Sequence, residues 1–272
     1  MQETGNNALV AKTRLTVRVS SGTLSFSVLH GTAEKQVVYE PYPVRSGISM
    51  AANLREAFGQ SELLLRGYQR VQVMTDTPVL MVPIERFDEN QLDILYNHAF
   101  SNQQSQEIIY TVMPNLNAVA VFSINKDLKL VFTDHFSDVR FHPLMQPVWN
   151  YLHNRSFTGN RRKLYAYFHD KKLEIFCFHQ NRFKFVNSYE VTYPHDAVYF
   201  VLHVWKVLSY DARCDELHLA GNMPQQETML EEMRRYVQNT YVINATAEFN
   251  HSPVTSIKGM PFDLITLYEK GR

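Results

Sequence analysis

KLYAYFHDKKLEIFCFHQNRFKFVNSYEV, residues 163–191, contains three runs in which the side chains follow a period of two residues. The runs cover residues 163–168, 173–178 and 183–191, and the polar segments HDKK and HQNR separate them. A period of two places successive side chains on opposite faces of a strand, and short polar segments between such runs are typical of hairpin turns. The stretch therefore predicts a three-stranded antiparallel meander.

The same pattern occurs roughly 150 residues earlier in the chain. Residues 14–44 contain the runs Leu15–Val19, Leu24–Val28 and Gln36–Tyr39, with turns at SSG and around Gly31. In both halves, helix and strand patterns alternate after the meander. This order predicts an α/β protein in which each half has a mixed five-stranded sheet with helices on its faces. We expect the two halves to be related by pseudo-symmetry and to enclose an interdomain cleft.

The segments that follow the two meanders carry the usual signals of helices and strands. In the first half, Ser49 is the expected N-cap of a helix at 49–65, and Pro143 is expected in the first turn of a helix in PLMQPVWNYLHN. The other elements predicted there are helices at 88–99 and 125–136 and strands at 70–74, 79–84, 107–124 (a pair) and DVRFH. In the second half we predict a helix in PHDAVYFVLHVWKVLSYD, a strand in ELHLAG, a helix in PQQETMLEEMRRYVQNT and a strand in YVINAT. The tail PFDLITLY fits either a strand or a closing helix.

A polar, basic segment, RSFTGNRR at residues 155–162, interrupts the apolar patterns between the two halves. We place the domain boundary there. The predicted organisation is a flexible N-terminus at 1–12, a first domain at 13–157 and a second domain at 158–272.

Composition limits the kinds of partner that the protein is expected to bind. The 27 Lys and Arg residues balance the 27 Asp and Glu residues, so net charge gives no reason to expect nucleic acid as a partner. The two cysteines, Cys177 and Cys214, suggest neither a disulfide framework nor a metal site. The chain has no recognisable signal peptide and no apolar run of about 18 residues, so we expect a cytoplasmic protein without a membrane span.

The segment ELHLAGN, residues 216–222, is an apolar strand that ends at a glycine in front of a helix. It is similar to the adenosine motif of the actin/hexokinase/sugar-kinase superfamily, and TVRVSSGTLSFSVL resembles that superfamily's first phosphate hairpin. More closely, the chain resembles an uncharacterised family of Bacteroidetes proteins with a degenerate form of this fold, on the stretches LHLAGN and MPFDLITLY. The resemblance covers nearly the full length and implies a duplicated actin-like ATPase fold, which is ribonuclease H-like in each half.

The resemblance implies a carboxylate at the end of each domain's first strand and glycines in the turns that follow, where backbone N–H groups approach phosphates. When the first hairpin is aligned on Gly22, the expected Asp falls on Ser20, a weak ligand for Mg²⁺, whereas Gly22 and Thr23 remain. The second hairpin turn, HDKK, has no glycine, and His169 stands at the strand end where the carboxylate is expected. The sequence therefore predicts that the Mg-phosphate carboxylates are lost.

Gly221 and Asn222 are the best preserved part of the adenosine-type turn. Asn tolerates the left-handed conformation that a second glycine would adopt. The turn can contact a nucleotide, or Gly221 can simply permit a tight turn from strand to helix, which we favour. A remnant nucleotide site would consist of Ser20, Gly22, Thr23, Gly221 and Asn222.

Other candidate groups are weaker. Asp134, His135 and Asp138 could supply an acid–base pair, but such residues are more often helix caps and turns. His195 and His203 lie on one predicted helix without a third metal ligand at a suitable spacing. The basic run from Arg155 to Lys163 could bind an anion or RNA, although such a run between domains is usually a solvated linker.

Three functions remain open at this point. The first, which we favour, is a non-catalytic protein with the actin-like fold that binds an unknown protein partner and needs no cofactor. The second is a nucleotide-binding or weakly hydrolysing protein that takes ATP with Mg²⁺ and uses Gly22, Thr23 and Gly221. The third is a small-molecule kinase, which would need Asp134 or Asp138 as a base in the cleft.

Overall fold

A computed structural model describes residues 13–30, 36–100, 105–180 and 182–269 of the chain. The expected flexible segment 1–12 and the turn around Gly31 lie outside these residues. The described residues divide into two compact units. Unit 1 takes the residues up to Met113 together with 119–146 and 257–259, and unit 2 takes 114–118, 147–256 and the residues from Met260 onward.

Unit 1 is built around the first meander. Its elements in chain order are β1 (Arg14–Val19), β2 (Leu24–His30), β3 (Gln36–Tyr42), α1 (Met50–Ala57), β4 (Arg70–Thr75), β5 (Val79–Pro83), α2 (Leu92–Ala99), β6 (Gln106–Met113), β7 (Ala118–Asn125), α3 (Lys126–His135) and β8 (Asp138–Pro143). The main sheet has the order β3-β2-β1-β4-β8, antiparallel on the β3 side of β1 and parallel on the β8 side. Leu15, Val17 and Val73 pack with Leu54 of α1 and Phe132 of α3 in one apolar core.

Unit 2 repeats this arrangement. Its elements in chain order are α4 (Gln146–Ser156), β9 (Lys163–His169), β10 (Lys172–His179), β11 (Arg182–Glu190), α5 (Pro194–Val207), β12 (Glu216–Gly221), α6 (Gln226–Tyr236), β13 (Asn239–Val242), α7 (Ala245–Glu248) and α8 (Phe262–Tyr268). The sheet order is β11-β10-β9-β12-β13, with antiparallel β9–β10–β11 and parallel β9–β12–β13. The equivalent strand order in both units confirms the predicted duplication and the two mixed five-stranded sheets.

Unit 1 also has a third, three-stranded sheet that the sequence analysis did not anticipate. Strands β5, β7 and β6 form it in that order. Tyr96 of α2 packs on Val82, Val119 and Val121 of this sheet. The predicted strands at 79–84 and 107–124 therefore exist, but they form a separate sheet.

Two helix predictions in the first half are wrong in their bounds. The helix predicted at 49–65 begins at the Ser49 N-cap, whose side chain accepts a hydrogen bond from the Ala52 N–H, but it ends at Ala57. After it, the Gly59 N–H donates to the Glu56 carbonyl and the Gln60 N–H to the Ala57 carbonyl, so the last turn tightens next to a glycine of low helix propensity. The predicted helix at 88–99 is a 3₁₀ turn at Glu89–Gln91 followed by α2.

Pro143 does not begin a helix as predicted. It is the last residue of β8, opposite Thr75 of β4, and α4 begins at Gln146. Because β8 is at an edge of its sheet, the missing N–H of proline costs no ladder hydrogen bond on its open side. The C-terminal stretch, which the sequence left undecided, is the helix α8. Among the helices in the described parts of the chain, none is long and apolar enough to cross a membrane.

Candidate functional site

The turn that joins β1 to β2 places Ser20, Gly22 and Thr23 together in unit 1. The Ser20 N–H donates to the Thr23 carbonyl over 2.9 Å, which closes the hairpin. Arg18 is buried and donates from Nη1 to Thr23 Oγ1 over 2.8 Å. The serine expected to replace a carboxylate is also buried, and its hydroxyl donates to Asp76 Oδ2 over 3.1 Å.

Asp76 is a candidate residue that the sequence analysis missed. It directly follows β4, which runs parallel to β1, and its N–H donates to the Val19 carbonyl over 2.9 Å. Since the carboxyl ends of parallel strands meet at one edge, its carboxylate lies beside Ser20. The segment RVQVMTD could have predicted this residue. It is an apolar strand followed by an aspartate, and open α/β sheets bind ligands at the carboxyl ends of their strands.

Gly22 and Gly221 differ in how much space surrounds the position of a side chain. Apart from its two chain neighbours, a Cβ added to Gly22 would meet no atom of the described residues within 4 Å, so these residues leave open space there. Gly221 has a φ of 90°, and an added Cβ would stand 2.1 Å from the Phe168 carbonyl oxygen and 2.7 Å from Tyr167 Cε2. The close packing of β12 on β9 is therefore enough to require glycine at position 221.

A backbone hydrogen bond fixes the position of Asn222. Its N–H donates to the Phe168 carbonyl over 2.9 Å, the same oxygen that Gly221 faces. Its side chain is exposed. Gly221 and Asn222 thus lie together at the carboxyl end of β12 in unit 2.

The hairpin between β9 and β10 turns through Asp170 and Lys171, which have φ angles of 43° and 64°. Two successive left-handed residues form the kind of turn that matches strand twist, here without glycine. His169 precedes the turn and is buried. Its Nδ1 lies 3.5 Å from Asp170 Oδ2, and its Nε2 lies 3.5 Å from Glu174 Oε1.

Among the described residues, His135 contacts an aromatic ring and a backbone carbonyl rather than the carboxylate of the possible acid–base pair. The His135 ring stacks on Phe58 with centroids 3.8 Å apart, and its Nδ1 contacts the Val131 carbonyl oxygen. Asp138 begins β8, at the opposite end of the strand from Pro143, and pairs with Arg14 over 2.6 Å. The hydrogen bond from Arg14 holds the pKa of the Asp138 carboxyl below its usual value.

The basic residues around the expected boundary have partners within unit 2. Arg155 pairs with Glu248, and Arg162 pairs with Asp215. Arg161 lies 3.9 Å from Glu216. Lys163 is buried and donates to the carbonyl oxygens of Arg155 and Thr158, which caps the end of α4.

The two histidines noted on α5 have local contacts. His195 Nδ1 lies 3.0 Å from Glu232 Oε2 on α6. His203 stacks on Tyr199 with ring centroids 6.0 Å apart. Both contacts are with side chains of α5 or α6.

Comparison with known proteins gives the chain a family. Residues 3–240 match the model of a family described as "Protein of unknown function (DUF3822)". No match was found among curated proteins. This confirms the resemblance to a family of unknown function, whereas the sequence stretch MPFDLITLY lies outside the matched residues.

Solved structures agree on the fold. A Bacteroides thetaiotaomicron protein, described as having an actin-like ATPase fold and unknown function, is 25% identical, with a TM-score of 0.83 over 96% of this chain and 97% of that one. The PilM-PilN type IV pilus biogenesis complex matches with 10% identity and a TM-score of 0.55, over 86% and 89% of the two chains.

Proposed function

Because this chain belongs to the DUF3822 family, whose function is unknown, we propose that it is a non-catalytic member of the actin-like ATPase fold that acts by binding another protein. In this proposal it works in the cytoplasm as a scaffold or adaptor and needs no nucleotide. Composition supports a protein partner rather than nucleic acid, because the net charge is zero.

The observation that carries the proposal is the packing of Gly221. The space that its missing side chain leaves is filled by the Phe168 carbonyl and the Tyr167 ring. The pairing of β12 with β9 is therefore enough to explain Gly221, the residue that most resembles part of a nucleotide-binding motif.

The two hairpins support the same proposal. At the first, the strand end carries Ser20 instead of a carboxylate. At the second, Asp170 and Lys171 place Cβ atoms in the turn where backbone N–H groups would have to approach a phosphate. These residues fit Mg-ATP poorly, since carboxylate and water oxygens are what Mg²⁺ prefers.

A protein partner is supported only at the level of the fold. A protein of this fold was solved as the PilM-PilN complex, so the fold is compatible with assembly into a protein complex. At 10% identity, that likeness extends to the fold alone and gives no partner for this chain.

Isothermal titration calorimetry with Mg-ATP tests the proposal. We expect no saturable heat for the unmodified protein, and micromolar affinity would contradict the proposal. The Gly22→Val variant is the appropriate companion, because its Cβ would meet no atom of the described residues beyond the chain neighbours and yet the side chain would obstruct a phosphate at the first hairpin. A Gly221→Val variant would not serve, since it would disturb the fold itself.

One observation favours nucleotide binding as a second candidate. Asp76 provides a carboxylate 3.1 Å from Ser20 Oγ, beside the open Gly22 turn. This function predicts that Asp76→Asn and Gly22→Val each weaken Mg-ATP binding. If the unmodified protein binds no Mg-ATP, the second candidate is excluded.

A further inference from the structure

Glu174 is a buried carboxylate at the end of the β9–β10 hairpin in unit 2. It is 6% exposed, and Ser188 Oγ donates to its Oε1 over 2.8 Å. No lysine or arginine among the described residues forms an ion pair with it. Buried carboxylates are normally paired with a cation or coordinate a metal, because an isolated buried charge is costly.

His169 faces Glu174 from the neighbouring strand. It is 4% exposed, and its ring stacks on Tyr167 with centroids 5.2 Å apart. Tyr167 is itself fixed, since its hydroxyl donates to Asp263 Oδ2 over 2.8 Å. The stack holds the imidazole plane, so that Nε2 stays directed at the carboxylate of Glu174.

The separation of the two side chains suits a shared metal ion. His169 Nε2 and Glu174 Oε1 are 3.5 Å apart, longer than the roughly 2.7–3.2 Å of a direct N–H···O hydrogen bond. Two ligand atoms on one Zn²⁺, each about 2.0–2.2 Å from the ion in tetrahedral geometry, are about 3.4 Å apart. We propose that His169 and Glu174 bind a divalent transition-metal ion such as Zn²⁺.

Asp170 extends this arrangement on the other side of the imidazole. Its Oδ2 lies 3.5 Å from His169 Nδ1, where a carboxylate can orient the ring and raise the basicity of the ligating nitrogen. Ser188 Oγ orients the Glu174 carboxylate by donating a hydrogen bond to Oε1. The same oxygen can still bind a metal ion, because a carboxylate oxygen accepts more than one contact. Asp170 and Ser188 are positioning residues in this proposal.

Imidazole nitrogen with one carboxylate oxygen favours Zn²⁺ over Mg²⁺, which prefers oxygen ligands and retains water. Two ligands from one hairpin fill only part of the coordination shell of the ion, so we expect moderate affinity. This site differs from the superfamily's carboxylate-held Mg²⁺, and it requires neither a nucleotide nor the proposed protein partner. Sequence patterns do not reveal this site, because a His and a Glu five residues apart come together only across the hairpin.

Titration calorimetry with Zn²⁺, Mn²⁺ and Mg²⁺ on the full chain tests the proposal. A Cys214→Ser background removes the exposed thiol as a competing ligand. We expect one Zn²⁺ per chain, weaker Mn²⁺ and no detectable Mg²⁺ binding. Absence of one-to-one Zn²⁺ binding would overturn the proposal without any further variant.

Variants then locate the ion. Glu174→Gln and His169→Asn should each weaken Zn²⁺ binding by about tenfold or more, and Asp170→Asn by about tenfold. His195→Asn is the matched control, because His195 also faces a carboxylate, that of Glu232, but is exposed. Should a variant fail to fold, the Co²⁺ absorption spectrum of the unmodified protein still reports whether nitrogen and oxygen ligands are bound. Unchanged Zn²⁺ affinity in folded Glu174→Gln and His169→Asn would overturn the assignment.

Discussion

Gly221 lies so close to Phe168 that a Cβ built on the glycine would stand 2.1 Å from the Phe168 carbonyl oxygen. The two residues are register partners in the parallel pair β12–β9. The same carbonyl accepts the Asn222 N–H over 2.9 Å, so it cannot easily move away. Strand pairing therefore fixes glycine at the end of β12.

We expect Gly221→Ala to lower the free energy of unfolding by about 3 kcal/mol or more, because it adds both a backbone clash and a strained positive φ. Gly22→Ala is the control, and its effect should stay within about 0.5 kcal/mol, since the added methyl meets open space. Denaturant unfolding followed by circular dichroism measures both. Equal losses in the two variants would contradict the packing explanation.

Tyr167 and Tyr165 offer a matched pair on one face of β9, both fully buried. Tyr167 donates to the buried carboxylate of Asp263, whereas the Tyr165 hydroxyl has no hydrogen-bond partner among the described residues. We expect Tyr167→Phe to cost about 1–3 kcal/mol, because it removes a hydrogen bond to a buried charge-bearing group.

Tyr165→Phe should be close to neutral or stabilising, because it removes a buried hydroxyl that lacks a partner in the described part of the chain. Thermal unfolding of both variants beside the unmodified protein provides the comparison. A larger loss of thermal stability in Tyr165→Phe than in Tyr167→Phe would contradict the assignment of the stabilising hydrogen bond to Tyr167.

The meanders and most later elements follow from local sequence, because a period of two or of 3.6 residues records which face of an element is buried. The repeated order of these elements was enough to predict two mixed five-stranded sheets. The same reasoning cannot assign a strand to a sheet, so β5, β6 and β7 were found as strands while their separate sheet was missed. Pro143 was misplaced for a related reason, since proline suits both an edge strand and a first helical turn.

The candidate sites were harder to predict than the fold. Ser20 and Gly22 are neighbours in sequence, but Asp76 reaches them only through the parallel pairing of β1 with β4. His169 and Glu174 meet across a hairpin whose register no single residue specifies. Gly221 was found, but its packing reason depends on Phe168 and Tyr167, more than 50 residues away.

The ion pair of Arg14 with Asp138 should make stability depend on pH. The hydrogen bond from Arg14 lowers the pKa of the folded carboxyl below its usual value. The folded state is then favoured when Asp138 is deprotonated, so its contribution is fully present above the unfolded pKa and disappears as pH falls through the folded pKa.

The stability difference between the unmodified protein and Asp138→Asn should therefore be largest near neutral pH and vanish in acid. Unfolding curves over a series of pH values measure it. Asp134→Asn is the control, because Asp134 is an exposed carboxylate on α3. If this stability difference grew as the solution became more acidic, Asp138 would not stabilise the folded state in its deprotonated form, and the prediction would be wrong.

The most direct test of the central proposal is a crystal structure of the protein grown with Mg²⁺ and a non-hydrolysable ATP analogue. We predict no nucleotide at either hairpin, with Ser20 still bonded to Asp76 and Gly221 still packed on Phe168. A nucleotide whose phosphates contact the backbone N–H groups of residues 20–23 would contradict the proposal that this protein acts without nucleotide chemistry.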